Sequence, residues 1–151
     1  MAARRRTGTR SRAHARGDGQ ALVEFSLALI IFLVLLMGVF DLGRGIYTYN
    51  GVSEAAREIA RVTSVYPGAT LGSSSQTAAV VATQKGLVPN LGDPSFSCID
   101  IDDSAVSGSC PVGMRVKVRV IAPYSPVTPL LGLLGTWDLA STSSVTISNR
   151  P

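Results

Sequence analysis

One unbroken apolar run constrains this chain more than any other feature. From Ala21 to Phe40 the sequence reads ALVEFSLALIIFLVLLMGVF, with a single charged residue. A helix rises about 1.5 Å per residue, so a run of about 20 residues crosses the roughly 30 Å hydrocarbon core of a bilayer. The rest of the chain is too small and too polar to surround such a helix as a protein core. The run therefore predicts one transmembrane helix, over residues 20–41.

The charges beside this run predict its orientation. Residues 1–19 contain six arginines and one aspartate, whereas the rest of the chain is close to neutral. Excess arginine next to a membrane span is retained on the cytoplasmic side. A basic tail of this kind can also bind nucleic acid, but its position directly before the span favours topology, so we expect no nucleic-acid partner. We therefore expect a single-pass protein of the cytoplasmic membrane with a basic cytoplasmic leader, 1–19, and everything after Asp41 outside.

The helical pattern continues past the membrane exit. Apolar or small residues recur at steps of three and four, at Leu42, Ile46, Tyr49, Val52, Ala56, Ile59, Ala60 and Thr63. Charged residues occupy another face, at Glu54, Arg57, Glu58 and Arg61. Such spacing is typical of an amphipathic helix, and Pro67-Gly68 ends it. The pattern predicts an extramembrane continuation of the helix over residues 42–66, preceded by a leader without regular structure.

Residues 67–151 predict a small head of mixed structure. A short helix is expected over Gln76–Lys85, capped by Ser74 or Ser75. Its predicted packing residues are Ala78, Val81 and Ala82. Strands are expected at Ser97–Ile101, Met114–Ala122 and Leu139–Ser148. Alternation in the last two gives one apolar and one polar face, which suits an antiparallel sheet lying against the extramembrane part of the long helix. The predicted fold class is α+β.

The stretch between the last two strands, PYSPVTPLLGLLGTW, is rich in proline and leucine. Its prolines exclude a central strand. The apolar residues of the stretch are Leu130, Leu131, Leu133, Leu134 and Trp137. This cluster can cover the sheet, touch lipid headgroups or receive a partner subunit.

The remaining candidates for chemistry are few. Cys98 and Cys110 are the only cysteines, and outside the membrane they predict a disulfide that closes a loop of about 13 residues, worth roughly 3 kcal/mol. The acidic cluster between them lacks the ligand series of a calcium loop and favours a solvated turn. The only histidine, His14, is in the leader, so no metal site is expected. Without a catalytic constellation or cofactor motif, we predict a protein that is not an enzyme.

The string Gly19-Gln20-Ala21-Leu22-Val23-Glu24-Phe25 resembles a type IV prepilin processing site. The resemblance implies cleavage between Gly19 and Gln20 by a membrane-embedded aspartyl prepilin peptidase. It also implies that Glu24 pairs with the new α-amino group of a neighbouring subunit, which neutralises both charges in lipid. Two features depart from the pattern: Gln20 replaces the usual apolar first residue and can cyclise, and Gly17 offers a rival cleavage point.

A closer resemblance covers the run GQALVEFSLALIIFLVLLMGVFDLGRGIYTYNGVSEAAREIAR, which is similar to the N-terminal domain of TadE-like proteins of the tight-adherence (Flp pilus) system. The exit motif Asp41-Leu42-Gly43-Arg44 and the string from Ala55 to Arg61 carry it, beside Gly19, Glu24 and Phe25. It implies a pilin-like pseudopilin whose helix assembly involves Glu24, Asp41 and Arg44. Its implied partners are prepilin peptidase, other pilins or pseudopilins and the pilus assembly platform. The alternative is a permanently anchored extracytoplasmic binding or adhesion module, neither processed nor part of a pilus.

Overall fold

The computed structural model describes residues 15–107, 110–128, 132–133 and 135–148, with side chains from Gly19 onward. It divides into two units, Met1–Val39 and Phe40–Pro151, and each is described by itself. Most of the predicted leader, residues 1–14, lies outside the described residues, as do Leu130, Leu131 and Leu134 of the predicted apolar cluster.

Helix α1 spans Ala15–Val65. It begins earlier than predicted, so the expectation that residues 1–19 lack regular structure is wrong for residues 15–19. Extending a formed helix by one residue costs far less than nucleating it, so a strong helix propagates into a weakly helical flank. The end agrees with the prediction: Tyr66 N still donates to Val62 O at 2.9 Å, and Pro67 follows.

The first part of α1 carries the apolar run. Its large side chains, including Leu22, Phe25 and Phe40, are exposed. Among the described residues, α1 is the helix long and apolar enough to cross a membrane. Because side chains of this kind are not left in water along a whole helix surface, the helix fits a single-pass membrane anchor.

The later turns of α1 pack against the sheet through a small-residue face. Val52, Ala55, Ala56, Ile59 and Ala60 are fully buried. The predicted apolar face is therefore confirmed from Val52 onward.

The same prediction is wrong nearer the membrane. Leu42, Ile46 and Tyr49 are exposed, whereas Asp41 and Thr48 are buried. The sheet end and its connecting loop contact the row of α1 that contains Asp41, and this leaves the neighbouring apolar row outside.

Helix α2 spans Ser75–Leu87 and begins at the predicted cap. The Ser74 hydroxyl accepts a hydrogen bond from Thr77 N at 3.1 Å, which satisfies one free amide of the first turn. The predicted packing residues are only partly right. Val81 packs against the core together with Val80, but Ala78 and Ala82 are exposed.

The strands form one antiparallel sheet in the order β2-β1-β3-β4. Their bounds are β1 Ser95–Ile99, β2 Ala105–Val106, β3 Arg115–Tyr124 and β4 Trp137–Thr146. The three predicted strands are present with ends displaced by up to two residues, and β2 was not predicted. Hydrophobic alternation identifies a strand but does not show where the strand ends. The ends depend on how far the neighbouring strands pair with it.

The ends of β3 and β4 enter the stretch predicted as a loop. Pro123 pairs in register with Asp138, and Tyr124 with Trp137. Strand β1 pairs with β3 only from Arg115 to Arg119, so β3 has a single neighbour at Pro123. A proline is tolerated there because one side of the strand has no partner to receive its missing N–H.

The core lies between this sheet and the later turns of α1. Val116, Val118, Val120 and Ala122 of β3 are fully buried, and Ile147 joins them from beyond β4. The alternating residues Arg115, Lys117 and Arg119 lie on the opposite face. The predicted α+β fold, a long N-terminal helix with a small antiparallel sheet, is confirmed.

Candidate functional site

The residue that ends the apolar run is fastened to the loop that follows β3. Asp41 is only 5% exposed. Its carboxylate accepts hydrogen bonds from Val127 N at 3.0 Å and Thr128 N at 2.7 Å. The Thr128 hydroxyl donates to the same carboxylate. A buried carboxylate is stable only when its acceptor sites are filled, and here two backbone amides and a hydroxyl fill them.

Tyr124 and Arg44 complete this cluster. The Tyr124 hydroxyl donates to the Asp41 carbonyl oxygen at 2.7 Å, and the Arg44 guanidinium lies 5.3 Å from the centre of the Tyr124 ring. Arg44 Nη1 is 4.0 Å from Asp41 Oδ1. On the helix side, a Cβ at Gly45 would lie 3.6 Å from the ring, an ordinary contact. The end of β3 is thus attached to α1 one residue after the apolar run.

Sequence reasoning singled out Asp41 and Arg44 for assembly between helices. The structure places both in a cluster within one chain, and Arg44 keeps about half of its side chain exposed. Their role in assembly stays a prediction. The partners Val127 and Thr128 were missed, although an acid at the end of an apolar run signals that some donor must meet it.

The predicted processing residues lie on the exposed surface of α1. Gly19, Gln20, Glu24 and Phe25 are all exposed. Among the described residues Glu24 takes part in no salt bridge. A Cβ at Gly19 would meet nothing within 4 Å, and the same is true of Gly38. Neither the glycine nor the glutamate is therefore explained by packing within the described part of the chain.

The two cysteines stand at disulfide distance, as predicted. Cys98 and Cys110 have a sulfur–sulfur distance of 1.97 Å and a Cα–Cα distance of 5.6 Å. Cys98 is in β1, and the bond ties that strand to the segment before β3. In the acidic turn between them, Asp103 forms a salt bridge of 3.6 Å with Arg115.

The charged face of α1 carries one close ion pair. The Arg61 guanidinium donates to Glu58 at 2.7 and 2.9 Å, and these hydrogen bonds lower the pKa of the Glu58 carboxyl. Because Arg61 is exposed, solvent screens the pair and its contribution to stability is small. No group of three metal-binding side chains occurs in the part of the chain that the structure describes.

Residues 19–61 match the family model of TadE-like proteins. The matched segment begins at Gly19, includes Glu24 and Asp41, and ends at Arg61, which confirms the resemblance seen in the sequence. It covers under a third of the chain and lies within α1. No curated protein and no solved structure matches this chain. The comparison therefore concerns the helix, and the architecture of the sheet is known from the structure alone.

Proposed function

We propose that this chain is a TadE-like pseudopilin, a minor pilin-like subunit that assists assembly of tight-adherence (Flp) pili. It is anchored by α1, carries no catalytic activity, and is processed by a prepilin peptidase between Gly19 and Gln20. The observation that carries the proposal is the pair Gly19 and Glu24. Both lie at the start of the apolar helix inside the matched segment, and neither has a structural role among the described residues.

Processing gives the glutamate a partner. Cleavage after Gly19 frees the α-amino group of Gln20, one helical turn from Glu24. A carboxylate within a membrane segment is unfavourable unless it reaches the interface or meets a cation. In the proposed assembly Glu24 of one subunit meets the amine of its neighbour, so that each charge is neutralised only when helices pack side by side.

The proposed orientation places the leader in the cytoplasm and the sheet outside. Six arginines before the apolar run support it, because such residues are retained on the cytoplasmic side. The cysteine pair supports it too, because disulfides persist in oxidising compartments. The proposed partners follow: the peptidase at the leader, other pilins or pseudopilins along α1, and the assembly platform in the membrane.

Mass spectrometry of the mature N-terminus tests the processing step. In cells with an active prepilin peptidase we expect a chain that starts at Gln20 and keeps its α-amino group. The loss of one ammonia would show that Gln20 has cyclised, which removes the amine that Glu24 is proposed to meet. Gly19→Val should retain the leader, and Gly38→Val is the matched control because a Cβ meets nothing within 4 Å at either glycine. An intact Met1 in the wild-type protein would remove the processing claim, and a chain that starts at Asp18 would assign the site to Gly17.

Replacing Glu24 by Gln tests the assembly step. We expect loss of piliation while the sheet and its disulfide form normally. Glu54→Gln is the control, because Glu54 is also exposed but lies beyond the membrane exit. Unchanged piliation in the Glu24 variant would favour the alternative of a permanently anchored binding module.

A further inference from the structure

The described part of the loop between β3 and β4, residues 125–128, 132–133 and 135–136, is held at the membrane exit of α1 through Val127 and Thr128. Asp41 follows directly after the last apolar residue of the run and binds the amides of Val127 and Thr128. These two hydrogen bonds, 3.0 and 2.7 Å long, hold Val127 and Thr128 beside Asp41. We call these described residues, 125–128, 132–133 and 135–136, the connecting loop. If the apolar run spans a bilayer, this loop lies at its surface.

The connecting loop and its surroundings expose large apolar side chains. In the loop, Leu133 is 85% exposed and Val127 is 73% exposed. On α1 beside it, Leu42, Ile46 and Tyr47 are exposed, and Trp137 at the start of β4 is partly so. Leu133 therefore does not cover the sheet, which was one of three roles open to the leucine cluster. Aromatic and aliphatic side chains gathered at one end of a fold indicate a surface that water does not cover.

Just beyond the membrane exit, α1 buries polar residues and exposes apolar ones, the reverse of the usual arrangement. Between Asp41 and Tyr49, the polar residues Asp41 and Thr48 point into the protein, while Leu42, Ile46 and Tyr49 point out. From Val52 onward the usual order returns, with apolar residues buried and charged residues outside. An apolar row outside and a polar row inside is the arrangement that favours a nonpolar or interfacial environment.

We propose that the connecting loop and the first two turns of α1 beyond Asp41 form an interfacial membrane anchor that lies among lipid headgroups. The lipid surface is the occupant because Leu42, Ile46 and Tyr49 follow Val39 of the apolar run at steps of three and four along α1, so that the exposed apolar row continues out of the membrane run. The inference rests on membrane anchoring by α1, and it requires neither cleavage at Gly19 nor a pilus.

The depth of this anchor is limited by the backbone. A loop exposes peptide groups that need hydrogen bonds, and no donor or acceptor is available in the hydrocarbon core. The loop therefore stays in the headgroup region, where Trp and Tyr are enriched and where an exposed arginine such as Arg44 can reach a lipid phosphate. The second unit is thereby attached to the bilayer surface at two places, the helix exit and the loop.

Trp137 is the only tryptophan of the chain and lies next to this surface. It pairs in register with Tyr124, whose hydroxyl binds the Asp41 carbonyl. The full-length protein, reconstituted in phosphatidylcholine–phosphatidylglycerol vesicles and recovered by flotation, allows its depth to be measured by fluorescence quenching. Lipids that carry bromine on the acyl chain near the headgroup should quench Trp137 strongly. Lipids that carry bromine near the methyl end of the acyl chain should not.

Variants identify the side chains responsible. Leu133→Asp should remove most of the quenching by lipid and increase quenching by aqueous acrylamide. Ile101→Asp is the matched control, because Ile101 is 82% exposed and follows β1 at the opposite end of the sheet. It should leave both kinds of quenching unchanged.

Three results would overturn the proposal. Strong acrylamide quenching without lipid quenching in the wild type places Trp137 in water. Protection from both quenchers shows that another protein chain or a second copy covers the surface. Loss of lipid quenching in the Ile101 variant shows a general disturbance of the fold. In all three cases a floating protein leaves the anchoring helix and the proposed function intact, whereas a protein that fails to float refutes both.

Discussion

Replacing Cys98 and Cys110 together by alanine is expected to lower the free energy of unfolding of the second unit by about 3 kcal/mol. The bond closes a loop of about 13 residues, and the cost of closing such a loop is removed from the unfolded chain when the bond exists. Cys98 is buried and its sulfur lies 3.8 Å from Met114 Sδ, so truncation to alanine also removes packing. The full effect in the double variant therefore exceeds that of reduction alone.

Urea titration of the full-length protein in detergent micelles measures this loss. Trp137 reports unfolding, because it is the single tryptophan and stands at the start of β4. With a urea dependence of about 1.5 kcal/mol per molar, a loss of about 3 kcal/mol moves the midpoint down by roughly 2 M. Wild-type protein treated with dithiothreitol should lose nearly as much, and the double variant should not respond to dithiothreitol at all.

Equal urea midpoints for the oxidised and reduced wild-type proteins would show that the bond does not stabilise the second unit. A maleimide that labels the denatured protein before reduction would show that the bond is absent in the isolated chain. An unchanged urea midpoint despite a demonstrated bond would show that residues 98–110 are already compact in the unfolded chain. The bond would then remove little entropy from the unfolded state and add little stability.

Three further substitutions test separate parts of the fold. Ile59→Ala removes a fully buried side chain and should cost about 2–5 kcal/mol by urea titration, whereas the exposed Ile46→Ala should change stability by less than about 0.5 kcal/mol. Ser74→Ala removes the cap of α2 and should cost about 1 kcal/mol in the same titration. Asp41→Ala should accelerate hydrogen exchange at the Thr128 amide without altering exchange in β3; an unchanged rate would show that the carboxylate does not hold the loop.

Hydrophobic periodicity alone located the helices and strands that bury one face in the core and expose the other to water. Val116, Val118 and Val120 alternate with basic residues, and a strand with one buried face is the only arrangement that satisfies both sets. The end of α1 was equally predictable, because proline at position 67 cannot donate to the helix. Strand β2 was missed because its two residues hold no pattern and are set by their pairing with Cys98 and Ile99.

The Asp41 cluster was beyond the reach of sequence for a different reason. Its donors are backbone amides at Val127 and Thr128, separated from Asp41 by 86 and 87 residues. Any residue type supplies an amide, so no side-chain pattern marks the partner. Only the acid itself was visible, and the resemblance to TadE-like proteins implied a role in helix assembly for it.

The face of α1 that periodicity misassigned carries information about the surroundings of the helix. Assigning the apolar row to the inside assumes that water surrounds the helix, and the assignment fails between Asp41 and Tyr49 but holds from Val52. From Asp41 to Tyr49 a helix advances about 12 Å. The headgroup region adds roughly 5–8 Å to each side of a bilayer core of about 30 Å. The inverted stretch is thus longer than the headgroup region is thick, and it begins at the residue that follows the apolar run. On the proposed interfacial anchor, the turns around Asp41 face lipid headgroups and the turns from Val52 onward face water.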